Sequence, residues 1–148
     1  MRYCITGGIG AGKSYVCARL EKRGIRIYDC DRGARQLLHS SPQIQLAITQ
    51  LIGKEAYDSN GNLNKPVVAK YLLASEENKQ RVNAIVHPAV MEDYQAHLNA
   101  AGLAPNSTSF YMRILRAVYN RAVEQELTVD RRPFRTVFTG TEKTLKRA

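Results

Sequence analysis

The run Gly7-Gly8-Ile9-Gly10-Ala11-Gly12-Lys13-Ser14 constrains this chain more than any other feature in it. It satisfies G-x-x-x-x-G-K-[ST] at every fixed position, the pattern of a loop that binds nucleoside triphosphates. Four glycines let the backbone curl tightly, so that successive N–H groups converge on phosphate oxygens. Lys13 then reaches the β- and γ-phosphates of ATP as a point charge, and the Ser14 hydroxyl ligates Mg²⁺. The whole stretch from Gly7 to Tyr15, with Ile9 and Ala11 supplying backbone between the glycines, forms the phosphate cradle. The flanks agree with this. Tyr3-Cys4-Ile5 predicts a short buried strand. Residues 15–22, with Val16 and Leu20 four apart, predict a helix whose N-terminus faces the anion.

Further along, Gly24 ends that first helix. Ile25-Arg26-Ile27-Tyr28 predicts a second strand, and Asp29 and Asp31 stand at its end, separated by one residue. In an open α/β sheet, ligands gather beyond the C-terminal ends of the strands, where this pair falls. A carboxylate there accepts a proton from an attacking hydroxyl or helps to hold Mg²⁺. The alternative is that Asp29 or Asp31 caps the following helix, residues 32–39.

The chain has 148 residues, 44% of them hydrophobic and 24% charged, the balance of a soluble globular domain with enough material for a core. No apolar run approaches the ~20 residues of a membrane span, so no membrane partner is expected. Cys4, Cys17 and Cys30 form no C-x-x-C pair. They read as small buried apolar filler in a reducing cytoplasm. The net charge of +9 is unevenly spread. Residues 1–94 hold 13 Lys/Arg against 9 Asp/Glu, and residues 95–148 hold 9 against 4. Basic character is therefore concentrated toward the C-terminus.

Taken in order, Thr6 to Ser14, Tyr28-Asp29-Cys30-Asp31, Ala34-Arg35 and His87-Pro88 resemble dephospho-CoA kinase. Between them, Gly53-Lys54-Glu55 and Asn60-Gly61-Asn62-Leu63-Asn64 resemble that family's connecting helices and turn. The resemblance covers roughly residues 1–92. It implies transfer of the γ-phosphate of ATP, with Mg²⁺, to the 3′-hydroxyl of dephospho-CoA, the last step of coenzyme A synthesis. By motif position Asp31 matches the catalytic base, beside Lys13, while Asp29, Arg35 and His87 match positions near the acceptor. Without the family, Arg35 reads as a solvated helix residue and His87 as a helix-end residue before Pro88. The family's later Pro-Leu-Leu-like strand, arginine-bearing lid and adenine-contacting segment are not recognisable after Pro88. Without the strand that the family places between the first two, an empty slot separates them.

The remaining third, residues 92–147, resembles the helical core-binding domain of a phage-integrase-type tyrosine recombinase. The resemblance runs through Glu92-Asp93-Tyr94-Gln95-Ala96-His97-Leu98, Gly102-Leu103-Ala104-Pro105-Asn106-Ser107-Thr108 and the stretch from Phe110 to Val123, ending on Arg132-Pro133-Phe134. Tyr111, Ile114, Leu115, Val118 and Ala122 form an apolar stripe at helical spacing, and Ser107 or Thr108 can cap its start. Arg113, Arg116 and Arg121 lie largely off that stripe. The resemblance implies weak contact with DNA phosphates through them, against the plainer reading of a solvated helix face. The sequence thus predicts an α/β, incomplete P-loop NTPase-type (doubly wound) kinase core over residues 1–92. An α-helical segment over residues 93–148 follows it. The expected function is cytoplasmic phosphorylation of dephospho-CoA, with a non-catalytic DNA-binding fragment as the alternative.

Overall fold

The structure, a computed structural model, describes residues 4–6 and 10–140. Gly7, Gly8 and Ile9 of the glycine run, and Tyr3 of the expected first strand, lie outside the described residues. Six helices organise the rest: α1 (Lys13–Glu21), α2 (Cys30–Ser40), α3 (Pro42–Ile52), α4 (Lys65–Ala74), α5 (Glu76–Ala100) and α6 (Pro105–Glu124), with one 3-10 turn at Lys54–Ala56. No strand forms among the described residues, where β-type pairing is limited to an antiparallel bridge between Tyr57 and Leu63. Cys4 and Ile5, the described part of the first expected strand, and residues 25–28, the second, carry no ladder, and a strand persists only with a neighbour to pair with. No helix of the described residues is long and apolar enough to cross a membrane.

Local chemistry explains where the helices begin and end. The Gly24 N–H donates to Glu21 O at 2.9 Å and the Ile25 N–H to Leu20 O at 3.1 Å, so α1 closes with the paired bonds of a Schellman turn. The Asp29 side chain caps α2, and Pro42 occupies the first turn of α3. Ser75 Oγ accepts from Asn78 N at 3.0 Å at the start of α5, where Glu76 and Glu77 also face the positive end of the helix. Between α3 and α4 the Asp58 carboxylate gathers the N–H groups of Asn60 (2.9 Å) and Asn62 (2.8 Å) into a tight turn.

Helix α5 is the axis of the packing, with α2, α3, α4 and α6 all set against it. Val82, Val86 and Val90 recur every fourth residue along α5 and bury against Ile44 and Ile48 of α3, Val68 of α4 and Ala56. Each large side chain so buried contributes roughly 1.5–3 kcal/mol. A second cluster joins Leu98 of α5 to Met112 of α6 and Val137, and Met91 packs against both clusters. The boundary expected between residues 92 and 93 therefore falls inside one continuous 25-residue helix.

That helix also corrects the reading of His87 as a helix-end residue. Pro88 removes one N–H and leaves the Ala84 carbonyl without its usual partner, yet α5 runs on through it. Pro88 is buried together with Val86 and Val90, and this packing offsets the missing bond. In α6 the buried positions are Thr108, Ser109 and Met112, while Ile114 is 46% and Val118 65% exposed. The stripe of Tyr111, Ile114, Leu115, Val118 and Ala122 is therefore not a buried face. The helix begins earlier than expected, at Pro105. Neither Ser107 nor Thr108 caps it, and Thr108 Oγ1 donates instead to Asn99 Oδ1 at 2.9 Å, back on α5. The cysteines differ from expectation as well: Cys4 and Cys30 are exposed and Cys17 is half-buried. With no ladder among the described residues, Cys4 stays exposed.

Candidate functional site

The described part of the glycine run ends in two left-handed residues, Gly10 at φ 82° and Gly12 at φ 76°. A Cβ added to either meets nothing within 4 Å, so it is the backbone angle and not crowding that selects glycine. Gly12 is the N-cap of α1, and its carbonyl accepts from Val16 N at 3.1 Å. This turn delivers Lys13, half-buried, and Ser14, exposed, as the first two residues of α1. No side chain caps α1 and no acidic residue stands in its first turn, so the positive end of the helix suits an anion. Tyr15 is 65% exposed, and its hydroxyl accepts from Arg19 Nε (3.1 Å) and Nη2 (2.8 Å) one turn along. Helix α1 buries no residue of its own and enters neither apolar cluster.

The paired carboxylates divide their work. Asp29 Oδ1 accepts from the N–H groups of Asp31 (2.9 Å) and Arg32 (3.0 Å), so Asp29 is the cap of α2. Asp31 sits exposed in the first turn, and Arg35 Nε donates to its backbone oxygen at 3.2 Å. Between them lies Cys30. Its residue is exposed, yet its thiol is partly desolvated. That desolvation first, then the charges of Asp31 and Asp29 and finally Cys4, raise the thiol above its ordinary range.

Tyr28, immediately before the cap, fastens the turn to α5. Its hydroxyl donates to Asp93 Oδ2 at 2.7 Å and lies 3.2 Å from Val90 O. Its ring packs on Tyr94 (centroids 4.8 Å apart) and His97 (5.3 Å). Burial, followed by the Asp93 hydrogen bond, pushes the phenol far above its ordinary value, so it remains a proton donor. His87 lies on the same helical row, three residues before Val90 and seven before Tyr94. It is half-buried, and desolvation, followed by the charge of Arg131, lowers its imidazole pKa. The buried Nε of Arg131 has no hydrogen-bond partner among the described residues.

Asp29, Asp31 and Arg35 stand at the head of α2 and His87 on α5, and these two helices pack against each other. The glycine loop and α1 stand apart from that apolar packing. Tyr28, Asp93 and Arg131 were not anticipated. A tyrosine ending an apolar run reads as strand, and partners 65 and 44 residues away leave no local signal. The three tail arginines are exposed but engaged within the chain. Arg113 Nη1 lies 3.4 Å from Thr139 O and 3.5 Å from Gly140 O, Arg116 Nη1 donates to Thr139 Oγ1 at 3.2 Å, and Arg121 pairs with Glu124 at 3.4 Å. No group of three or more His, Cys, Asp or Glu able to hold a metal occurs among the described residues. Ser14, at the head of α1, offers a single hydroxyl oxygen, which suits an Mg²⁺ ion shared with nucleotide phosphates.

Among the described residues, a left-handed glycine turn opens α1 directly onto Lys13-Ser14. Residues 2–135 match the dephospho-CoA kinase family. The chain belongs to that family, which implies a P-loop kinase fold. Curated relatives agree, each itself called dephospho-CoA kinase. The protein of Bacteroides fragilis (strain YCH46) is 41% identical over 91 residues, 62% of this chain and 44% of the relative. That of Porphyromonas gingivalis (strain W83) is 42% identical over 90 residues, 61% of this chain and 44% of the relative. That of Salinibacter ruber is 35% identical over 92 residues, 62% of this chain and 46% of the relative. The chain spans about half the length of the curated relatives it matches. No solved structure matches it.

Proposed function

We propose that the chain binds ATP at the glycine loop and the head of α1, and passes the γ-phosphate to the 3′-hydroxyl of dephospho-CoA. The observation that carries this reading is Gly12, left-handed and N-capping α1, which sets Lys13 and Ser14 in the first turn. There Lys13 reaches the β- and γ-phosphates, and Gly7, Gly8, Ile9, Gly10, Ala11 and Tyr15 complete the cradle. Ser14 would hold Mg²⁺, which when bound would supply charge neutralisation during transfer. On the acceptor side, Asp31 takes the proton of the ribose hydroxyl. The hydroxyl oxygen bonds to the γ-phosphorus, the bond from that phosphorus to the β–γ bridging oxygen breaks, and ADP leaves. Arg35 and His87 border the acceptor, and Asp29 holds the turn that presents Asp31. Family membership supports the donor and the acceptor alike.

The test is direct. The purified chain is incubated with dephospho-CoA, Mg²⁺ and ATP labelled at the γ-position, and label is followed into coenzyme A. Label in the product is the expected result; ATP consumption without labelled coenzyme A, or no consumption, contradicts the reading.

A further inference from the structure

Tyr28, just before the cap of α2, meets Asp93 of α5, and three observations single the pair out. The hydrogen bond is short, 2.7 Å, and runs from a phenol to a carboxylate, a charge-assisted type stronger than a neutral bond. The ring beneath it is wedged against Tyr94 and His97 on one face of α5, which fixes its direction. The third observation is Gly33, buried in α2. A Cβ there would come within 2.9 Å of Tyr28 Oη and 3.6 Å of Asp93 Oδ2. A side chain at 33 would have to displace the Tyr28 hydroxyl, so glycine lets α2 close over the pair as it stands. Gly33 N in turn donates to Asp29 O at 2.9 Å, so the residue making room for the pair also belongs to the first turn of α2.

We propose that Tyr28 and Asp93 are positioning residues. Their hydrogen bond is a strut that fixes the Asp29–Asp31 turn on α5, and with it the direction of the Asp31 carboxylate. The link is short in covalent terms. Tyr28 is bonded to the capping residue Asp29, whose Oδ1 holds the amides of Asp31 and Arg32. A phenol pinned at its far end leaves that cap one orientation. The strut also spans the two segments that the sequence separates, since Tyr28 precedes residue 92 and Asp93 follows it. The catalytic meaning of the strut rests on the proposed role of Asp31; the strut itself does not.

Amide hydrogen exchange of the full chain tests it without any need for activity. In Tyr28→Phe and in Asp93→Leu, exchange at Asp31, Arg32 and Gly33 is expected to rise about tenfold, the scale of one lost hydrogen bond to a charged group. Amides of α3 and α4 should be unmoved. Asp93→Asn keeps a carbonyl acceptor and should retain most of the protection, and the double variant Tyr28→Phe/Asp93→Leu should be no worse than either single one. Unchanged exchange at those three amides, or an equal rise throughout α2 to α5, overturns the strut. Where the wild-type chain transfers phosphate, the same two single variants should lower kcat about tenfold with the KM for ATP unchanged. Absence of transfer in the wild type would count against the proposed function and leave the exchange result standing.

Discussion

Gln95 holds the backbone of Phe138 from both sides: its Nε2 donates to Phe138 O at 2.9 Å, and its Oε1 accepts from Phe138 N at 3.1 Å. A side-chain amide thus stands in for a strand neighbour and docks the segment after α6 onto α5. Ser109 Oγ, donating to Gly140 O, and Arg116, donating to Thr139, extend the same seam. Gln95→Ala is expected to raise hydrogen exchange at Phe138 about thirtyfold, because two bonds of about 1 kcal/mol each are lost. Protection at Phe138 equal to wild type would show that the amide clamp does not retain the segment.

The buried cluster along α5 and the exposed side of α6 make a contrasting pair of substitutions informative. Ile48 is fully buried, and Ile48→Ala should cost about 2–5 kcal/mol in urea unfolding through transfer and cavity terms. Val118 is 65% exposed, so Val118→Ala should stay within about 0.5 kcal/mol. A large loss at Val118 would restore the buried stripe that the sequence predicts.

His87 gives stability a pH dependence of definite sign. Its imidazole pKa is lowered in the folded chain from an ordinary value of 6.5, by burial and then by Arg131. The unfolded chain therefore takes up the proton first as pH falls. The stability due to neutral His87 is present above about pH 6.5 and is lost as pH drops through the folded value. Between about pH 7.5 and about pH 5.5, the fall in Tm should be smaller in His87→Gln than in wild type. Parallel Tm curves would remove His87 as its source.

Asp31 is expected to show in two independent readouts. Asp31→Asn should lower turnover by about 10²-fold or more, the scale of a lost general base, with little change in ATP affinity. The same substitution removes one of the charges raising the Cys30 thiol, so alkylation of Cys30 should accelerate about two- to fivefold at fixed pH. Equal turnover would take Asp31 out of the base role, and an unaltered alkylation rate would show that its charge does not reach the thiol.

What could be read from sequence was chemistry carried by neighbours in the chain. The Gly10–Gly12 turn opening α1, Gly24 closing it and the cap of α2 at Asp29, one of two readings the sequence left open, depend on residues one to five apart. The strands expected at residues 3–5 and 25–28 were less legible, because a strand is defined by what pairs with it. Periodicity failed on α6 for a related reason. Its inner face meets Asn99 and Gly140, so Thr108 and Ser109 are buried there while Ile114 and Val118 stay out. An apolar count has no means of marking hydroxyls as the buried side. Helix α5 runs through His87-Pro88 because packing on several sides outweighs one missing N–H, a balance that a dipeptide cannot report.

The central claim is that the Gly12-Lys13-Ser14 turn receives the phosphates of ATP, and calorimetric titration of ATP with Mg²⁺ into the wild type and Lys13→Ala tests it most directly. The account predicts saturable binding at one site in the wild type. In the variant it predicts affinity at least about tenfold lower, as expected for a lost charge-assisted contact, with Tm unchanged because α1 buries no residue in the core. Equal affinity in the two proteins would contradict it.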